Sequence, residues 1–126
     1  MDMDNNKKLL IVDDSKVSRM LIRAQVAAQR PEWAITEANS GEQALDIINE
    51  NLPDYCIMDI NMSGILGTDA AEIIISKYPT VRIVILSANI QETYQNRASG
   101  LGISFIAKPV SEKSISQAIS YFEGAQ

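Results

Sequence analysis

Short apolar runs, each closing on a polar residue and each followed by a stretch with helical spacing, recur five times along this chain. That alternation leaves few choices of fold. A continuous apolar run suits a strand covered on both faces, and strands alternating with helices pair in parallel. Leu9-Leu10-Ile11-Val12 is such a run and stops at Asp13-Asp14-Ser15. The helix after it carries Val17, Met20, Leu21, Ala24 and Ala27 in one apolar stripe of the kind that faces a core, and it ends before Pro31.

Trp33 to Glu37 reads as a weaker second strand, nearer an edge. Ser40 and Gln43 have the spacing of a capping box and open a helix with Ala44, Leu45 and Ile48, closed by Asn51-Leu52-Pro53. Tyr55 to Met58 is the third strand and ends in Asp59. A glycine-bearing loop, Asn61 to Gly67, leads to a helix with Ile73, Ile74 and Tyr78, stopped by Pro79. Val81 to Leu86 is the fourth strand and ends in Ser87. Asn89 and Glu92 can cap the next helix, whose stripe of Ile90, Tyr94, Ala98 and Leu101 is thin and predicts low local stability. Ile103 to Ala107 is the fifth strand, ending at Lys108-Pro109, and Ser111 opens a last helix with Ile115, Ala118, Ile119 and Phe122.

The pattern predicts one α/β domain over residues 7–124 with a five-stranded parallel sheet, preceded by a polar tail over residues 1–6. With 126 residues, none is left for a DNA-binding helix-turn-helix. The formal charge of -5 argues against sequence-independent nucleic-acid binding, which relies on Lys and Arg. With no histidine, the chain has no Ser-His-Asp triad and no His-ligated zinc. Cys56, the only cysteine, reads as a small buried core thiol. The apolar runs are too short to span a bilayer and the first six residues are unlike a secretory signal, so the expected location is the cytoplasm.

In open α/β sheets the working site lies beyond the carboxyl ends of the strands. Those ends carry Asp13 and Asp14, Glu37, Asp59, Ser87 and Lys108. Singly, each has a bland reading as a cap, a turn or a solvated surface group. Two strand orders are common for such a pattern. In 3-2-1-4-5 the acids stay apart; in 2-1-3-4-5 the first and third strands are neighbours, about 4.8 Å apart, and Asp13, Asp14 and Asp59 share a pocket. Ser87 then flanks Asp59, and a long lysine at 108 spans the roughly 10 Å from the fifth strand. Clustered carboxylates repel, and a hard divalent cation such as Mg2+ relieves them. Asp59 could then attack phosphorus to give an acyl phosphate, with Ser87 and Lys108 offsetting charge on the phosphoryl oxygens.

From about Lys7 to Phe122 the chain resembles the receiver domain of bacterial two-component response regulators, most nearly the compact chemotaxis (CheY-like) type. The matching residues are Asp13-Asp14, Asp59, Gly67, Ser87-Ala88 and Lys108-Pro109, each after the appropriate strand. The resemblance implies the flavodoxin-like order 2-1-3-4-5 with helices on both faces. It makes Asp59 the phosphoacceptor and gives Mg2+ to Asp14 and Asp59 directly, to Asp13 through water and to the Asn61 backbone carbonyl. Ser87 and Lys108 would hold the phosphoryl group, a cis bond would join Lys108 to Pro109, and Phe105 would be the switch aromatic. The donor would be a histidine kinase or histidine phosphotransfer protein. The target would bind the face formed by the fourth helix, fifth strand and fifth helix, with no nucleic acid and no membrane engaged by this chain alone. Enzymatic activity would be limited to the domain's own phosphorylation and slow dephosphorylation.

The chain departs from that pattern in places. Met62 is followed by Ser63 rather than proline, Ser87 stands for the commoner threonine, and Phe105 lacks a tyrosine hydroxyl. Asn61 and Asn89 fall where the family tunes access of water to the acyl phosphate. Two other readings compete. A phosphohydrolase of the haloacid-dehalogenase type needs a second acid two residues after the nucleophile, and Asp59-Ile60-Asn61 lacks it. A receiver-like scaffold that works without phosphorylation has no use for the acid, hydroxyl and lysine set. Gly64 and Gly67 match neither a dinucleotide nor a P-loop spacing.

Overall fold

In the computed structural model, residues 6–124 are described. The tail expected over residues 1–6 lies, apart from Asn6, outside the described residues. The elements run β1 (Lys8–Val12), α1 (Lys16–Gln29), β2 (Ala34–Ala38), α2 (Gly41–Glu50), β3 (Tyr55–Met58), α3 (Gly67–Lys77), β4 (Arg82–Ser87), α4 (Glu92–Leu101), β5 (Ser104–Ala107) and α5 (Glu112–Phe122). The strands form one parallel sheet in the order β2-β1-β3-β4-β5. This is the flavodoxin-like order, with the winding reversing between β1 and β3. No helix among the described residues is long and apolar enough to cross a membrane.

The apolar runs become strands because both faces of the sheet are covered. On one face Leu10, Val12, Cys56, Met58, Ile83 and Ile85 meet Ala44 and Ile48 of α2, Ala70, Ala71 and Ile74 of α3, and Ala98 of α4. On the other, Leu9, Ile11, Ile57, Val84 and Leu86 meet Ile22 and Val26 of α1 and Ile115, Ala118, Ile119 and Phe122 of α5. Phe122 stacks on Tyr55 at 4.5 Å between ring centroids, and Trp33 leans on the same ring at 5.0 Å. Cys56 is the buried core thiol expected, and burial pushes it up to about 12, leaving it inert.

Two stripes differ from expectation. In α1 the residues that pack on the sheet are Ile22 and Val26, whereas Val17, Met20 and Leu21 are 65%, 58% and 52% exposed. At 100° per residue the stripe centred on Val17 and Leu21 lies nearly opposite Ile22 and Val26, so the helix carries two apolar arcs. The sheet takes the arc with two β-branched side chains. In α3, Ala70, Ala71 and Ile74 face the core and Ile73 is turned outward, since small residues let the helix sit close over the sheet. The Ser40 cap is half a box: Ser40 Oγ accepts the Gln43 N–H at 3.0 Å, but Gln43 Oε1 takes the Asn39 N–H instead of that of Ser40. As expected, α4 is thinly anchored, with Ala98 its one buried residue.

Candidate functional site

The parallel register brings the strand ends together. Asp59 N–H donates to the Val12 carbonyl at 2.9 Å and Lys108 N–H to the Ser87 carbonyl at 2.9 Å, so β1, β3, β4 and β5 end on one level. Asp13, Asp14 and Asp59 offer ligand atoms that all lie within 4.8 Å of one another. Asp13 and Asp59 are buried and Asp14 is exposed, which gives the cluster two fixed acids and one at its mouth. Lys108 spans the distance from the edge strand. Its ammonium lies 2.9 Å from Asp13 Oδ2 and 3.4 Å from Asp59 Oδ2.

The electrostatics follow from that packing. Burial pushes the Asp59 carboxyl above the ordinary range, and the Asp13 charge adds to it. Lys108, the Ile60 N–H and the Ser87 hydroxyl work in the opposite direction without cancelling the rise. For Lys108, burial opposes the ammonium, but the hydrogen bond to Asp13 and the charges of Asp59 and Asp13 together hold it above the usual lysine value. The lysine is therefore charged throughout the physiological range.

The loops that aim these groups have local causes. Ile60 N–H donates to Asp59 Oδ1 at 2.8 Å, fixing the carboxylate. Gly67 is required because a Cβ there would overlap the Asp59 carbonyl, and its N–H closes the loop on the Ile60 carbonyl at 2.9 Å. Ser87 is buried at the end of β4, and its Oγ accepts the Asn89 N–H at 3.1 Å. Asn89 also donates from Nδ2 to Asn61 Oδ1 at 2.7 Å, tying the loop after β4 to the loop after β3. The Lys108–Pro109 bond is cis.

A family model for the response regulator receiver domain matches residues 9–120. The chain belongs to that family. This receiver is 31% identical over 113 residues to the response regulator protein VraR of Staphylococcus saprophyticus, covering 89% of this chain and 54% of that protein. To the transcriptional regulatory protein DegU of Brevibacillus brevis it is 27% identical over 118 residues, or 92% of this chain and 50% of that protein. It thus spans about half the length of these curated relatives. A CheY-like receiver domain protein from Methanospirillum hungatei shares the fold, with a TM-score of 0.86 at 17% identity, covering 95% of this chain and 96% of that one.

Not every strand-end residue joins the pocket of this receiver. Glu37 points away and pairs with Arg23 at 2.7 Å and Arg19 at 2.9 Å; the Arg23 hydrogen bond, with help from Arg19, outweighs desolvation and lowers its pKa. Phe105 is half-buried on β5 and packs on the side of the sheet that holds Tyr94 of α4. Two pocket residues escaped the sequence reading. The Ser18 hydroxyl donates to Asp13 Oδ2 at 2.7 Å, and Arg19 Nη1 donates to the Asp13 carbonyl at 2.6 Å. A serine and an arginine on a helix give no periodic signal; only the inward turn of Asp13 reveals them.

Proposed function

We propose that this receiver, comprising residues 7–124, is a phosphorylation switch whose acceptor is Asp59. The observation that carries the reading is the juxtaposition at Asp59: a buried carboxylate with two further acids around it and an ammonium 3.4 Å away. In the transfer, an Asp59 oxygen attacks phosphorus of a phosphohistidine on another protein. The P–O bond forms, the P–N bond breaks, and the imidazole leaves with a proton. Lys108 moves from a lysine–carboxylate contact to the phosphoryl oxygens. The Ser87 hydroxyl accepts from Asn89 and turns its own proton toward the Asp59 carboxylate, so it would donate that proton to a phosphoryl oxygen placed there.

The donor set fits a hard divalent cation: three carboxylates with atoms this close are stable together only when their charge is offset. Asp14 and Asp59 would hold Mg2+ directly, Asp13 through water and Asn61 by its backbone carbonyl. Bound there, Mg2+ would neutralise charge on the transferred group.

The uncovered α1 stripe gives the donor a place to rest. Val17, Met20 and Leu21 begin one turn beyond Asp14, at the mouth of the acid cluster, and present apolar surface that an approaching protein covers. Ser87 and Phe105 then form the switch, and the face made by α4, β5 and α5 meets the target. A histidine kinase or phosphotransfer protein as donor sets the exchange in the cytoplasm. The domain's own chemistry is limited to taking up and slowly losing the phosphoryl group.

The test is acetyl phosphate with Mg2+, followed by intact mass. One added phosphate in wild type and none in Asp59→Asn is the expected result. No Asp59-dependent adduct from acetyl phosphate or a phosphohistidine protein would leave the scaffold reading in its place.

A further inference from the structure

Asp13 is buried, and its carboxylate accepts three hydrogen bonds from side chains and backbone of its own neighbourhood. Its Oδ1 takes the Ser15 N–H at 2.9 Å and retains acceptor capacity. Its Oδ2 takes both the Lys108 ammonium at 2.9 Å and the Ser18 hydroxyl at 2.7 Å, which fills its two lone pairs. Ser18 does not need that hydroxyl for its helix. Its backbone N–H is already capped by Ser15 Oγ at 3.1 Å, and a serine inside a helix ordinarily turns its hydroxyl to solvent or to a carbonyl one turn back. Here the hydroxyl instead reaches five residues back to a side chain outside the helix.

We propose that Ser18 is a positioning residue for phosphoryl capture: it holds Asp13 in place and keeps Oδ2 satisfied when Lys108 leaves for the phosphoryl group. The proposal rests on Asp59 being the acceptor. Lys108 stands between two carboxylates, nearer Asp13 than Asp59 by 2.9 Å against 3.4 Å. Phosphorylation increases the negative charge on the Asp59 side and draws the ammonium there. Asp13 Oδ2 then loses a charge-assisted bond in a buried site, where an acceptor without a donor is costly. The Ser18 hydroxyl remains and offsets that loss. With alanine at 18, Lys108 becomes the sole donor to Oδ2, so its departure strips that oxygen completely and the phosphoryl group is held less tightly.

The full chain, Ser18→Ala and Ser18→Thr are compared by calorimetry, titrating Mg2+ alone and then beryllofluoride at saturating Mg2+. Beryllofluoride stands in for the phosphoryl group on the acceptor. Ser18→Ala should bind beryllofluoride about ten-fold more weakly, the scale of one hydrogen bond to a charged group. Its affinity for Mg2+ alone should change by a smaller factor, because Lys108 is still on Asp13 in that state. Ser18→Thr, which keeps the hydroxyl, should return beryllofluoride binding to wild-type strength. A general packing defect would not separate the two ligands. Wild-type beryllofluoride affinity in Ser18→Ala, equal losses for both ligands, or failure of Ser18→Thr to restore binding would each overturn the proposal. If wild type itself takes neither beryllofluoride nor phosphate at Asp59, the acceptor reading falls and takes this role of Ser18 with it.

Discussion

Replacing Asp59 by asparagine should stabilise the metal-free protein, and the size of the effect follows from the pocket. With acceptor atoms within 4.8 Å, each pair of ionised carboxylates repels by about 3.5 kcal/mol at an effective dielectric of about 20. Lys108, 3.4 Å away, returns about 5 kcal/mol of attraction to Asp59 on the same scale. Two repulsions therefore exceed one attraction by about 2 kcal/mol, before solvent screening at exposed Asp14 trims the excess. Asp59→Asn keeps the shape and the acceptor for the Ile60 N–H, and leaves Lys108 paired with Asp13. A gain of about 1–2 kcal/mol is expected, or about 4–8 °C in Tm for a chain of this size.

The pH dependence carries the same sign. Burial raises the folded-state pKa of Asp59 above its ordinary 3.8, so the folded chain holds this proton more tightly than the unfolded chain. That contribution to stability is fully present below 3.8 and is lost as pH rises through the raised value. The advantage of asparagine should accordingly vanish in acid and open as pH rises. Mg2+ should reverse the ranking, because binding stabilises wild type by mass action while the variant lacks one anionic ligand. Circular dichroism melts in EDTA and in saturating Mg2+, over a pH series, measure all three effects. If Asp59→Asn lowers Tm in EDTA, or gains as much from Mg2+ as wild type, the acids are not frustrated and the metal argument loses its basis.

Three further outcomes are expected. Gly67→Ala forces a Cβ into the Asp59 carbonyl and should cost about 2–3 kcal/mol in urea denaturation, together with slower phosphorylation by acetyl phosphate; an alanine variant as stable as wild type would contradict the loop geometry. Arg97 bridges α4 to Asp69 and Glu72 of α3 at 2.6 Å each, through partly exposed pairs. Arg97→Ala should therefore lower global stability by less than about 1 kcal/mol yet speed amide exchange selectively in α4, and a uniform change across the sheet would count against it. Met20→Glu should slow transfer from a phosphohistidine protein by about ten-fold while leaving acetyl phosphate unaffected, because only a protein donor needs the apolar α1 face; equal loss with both donors would refute that docking site.

The strands and the residues at their ends were legible because a run buried on both faces has no polar member, so Val12, Met58 and Leu86 announce where it stops. Strand order was not in the pattern: it depends on crossovers that leave no mark in local spacing, and only the family resemblance chose between the two arrangements. The α1 stripe was misread for a related reason. A period of 3.6 locates an apolar arc, but it does not say which of two arcs meets the sheet. Val17, Met20 and Leu21 win on count, while Ile22 and Val26 win in space because they face Leu9 and Ile11. Ser18 and Arg97 were invisible for want of any period at all; each matters through a partner that only the fold brings near.

On the proposed reading, the thin anchoring of α4 sets the energy scale of the switch. Helix α5 buries Ile115, Ile119 and Phe122, each worth about 1.5–3 kcal/mol, whereas α4 buries Ala98 alone. Besides that alanine, α4 relies on the ion pairs of Arg97 and on partly buried Tyr94 packing near Phe105. The segment leading into α4 is tied to the site by the Asn89 N–H on Ser87 Oγ at 3.1 Å. A phosphoryl oxygen on Asp59 would accept the proton of that same hydroxyl and draw Oγ, with the Asn89 segment bonded to it, toward Asp59; a hydrogen bond to so charged an acceptor contributes about 1.5–3 kcal/mol. One such bond is comparable with what holds α4 and far below what holds α5. Phosphorylation can therefore shift α4 and the Phe105 side of the sheet while leaving α5 in place.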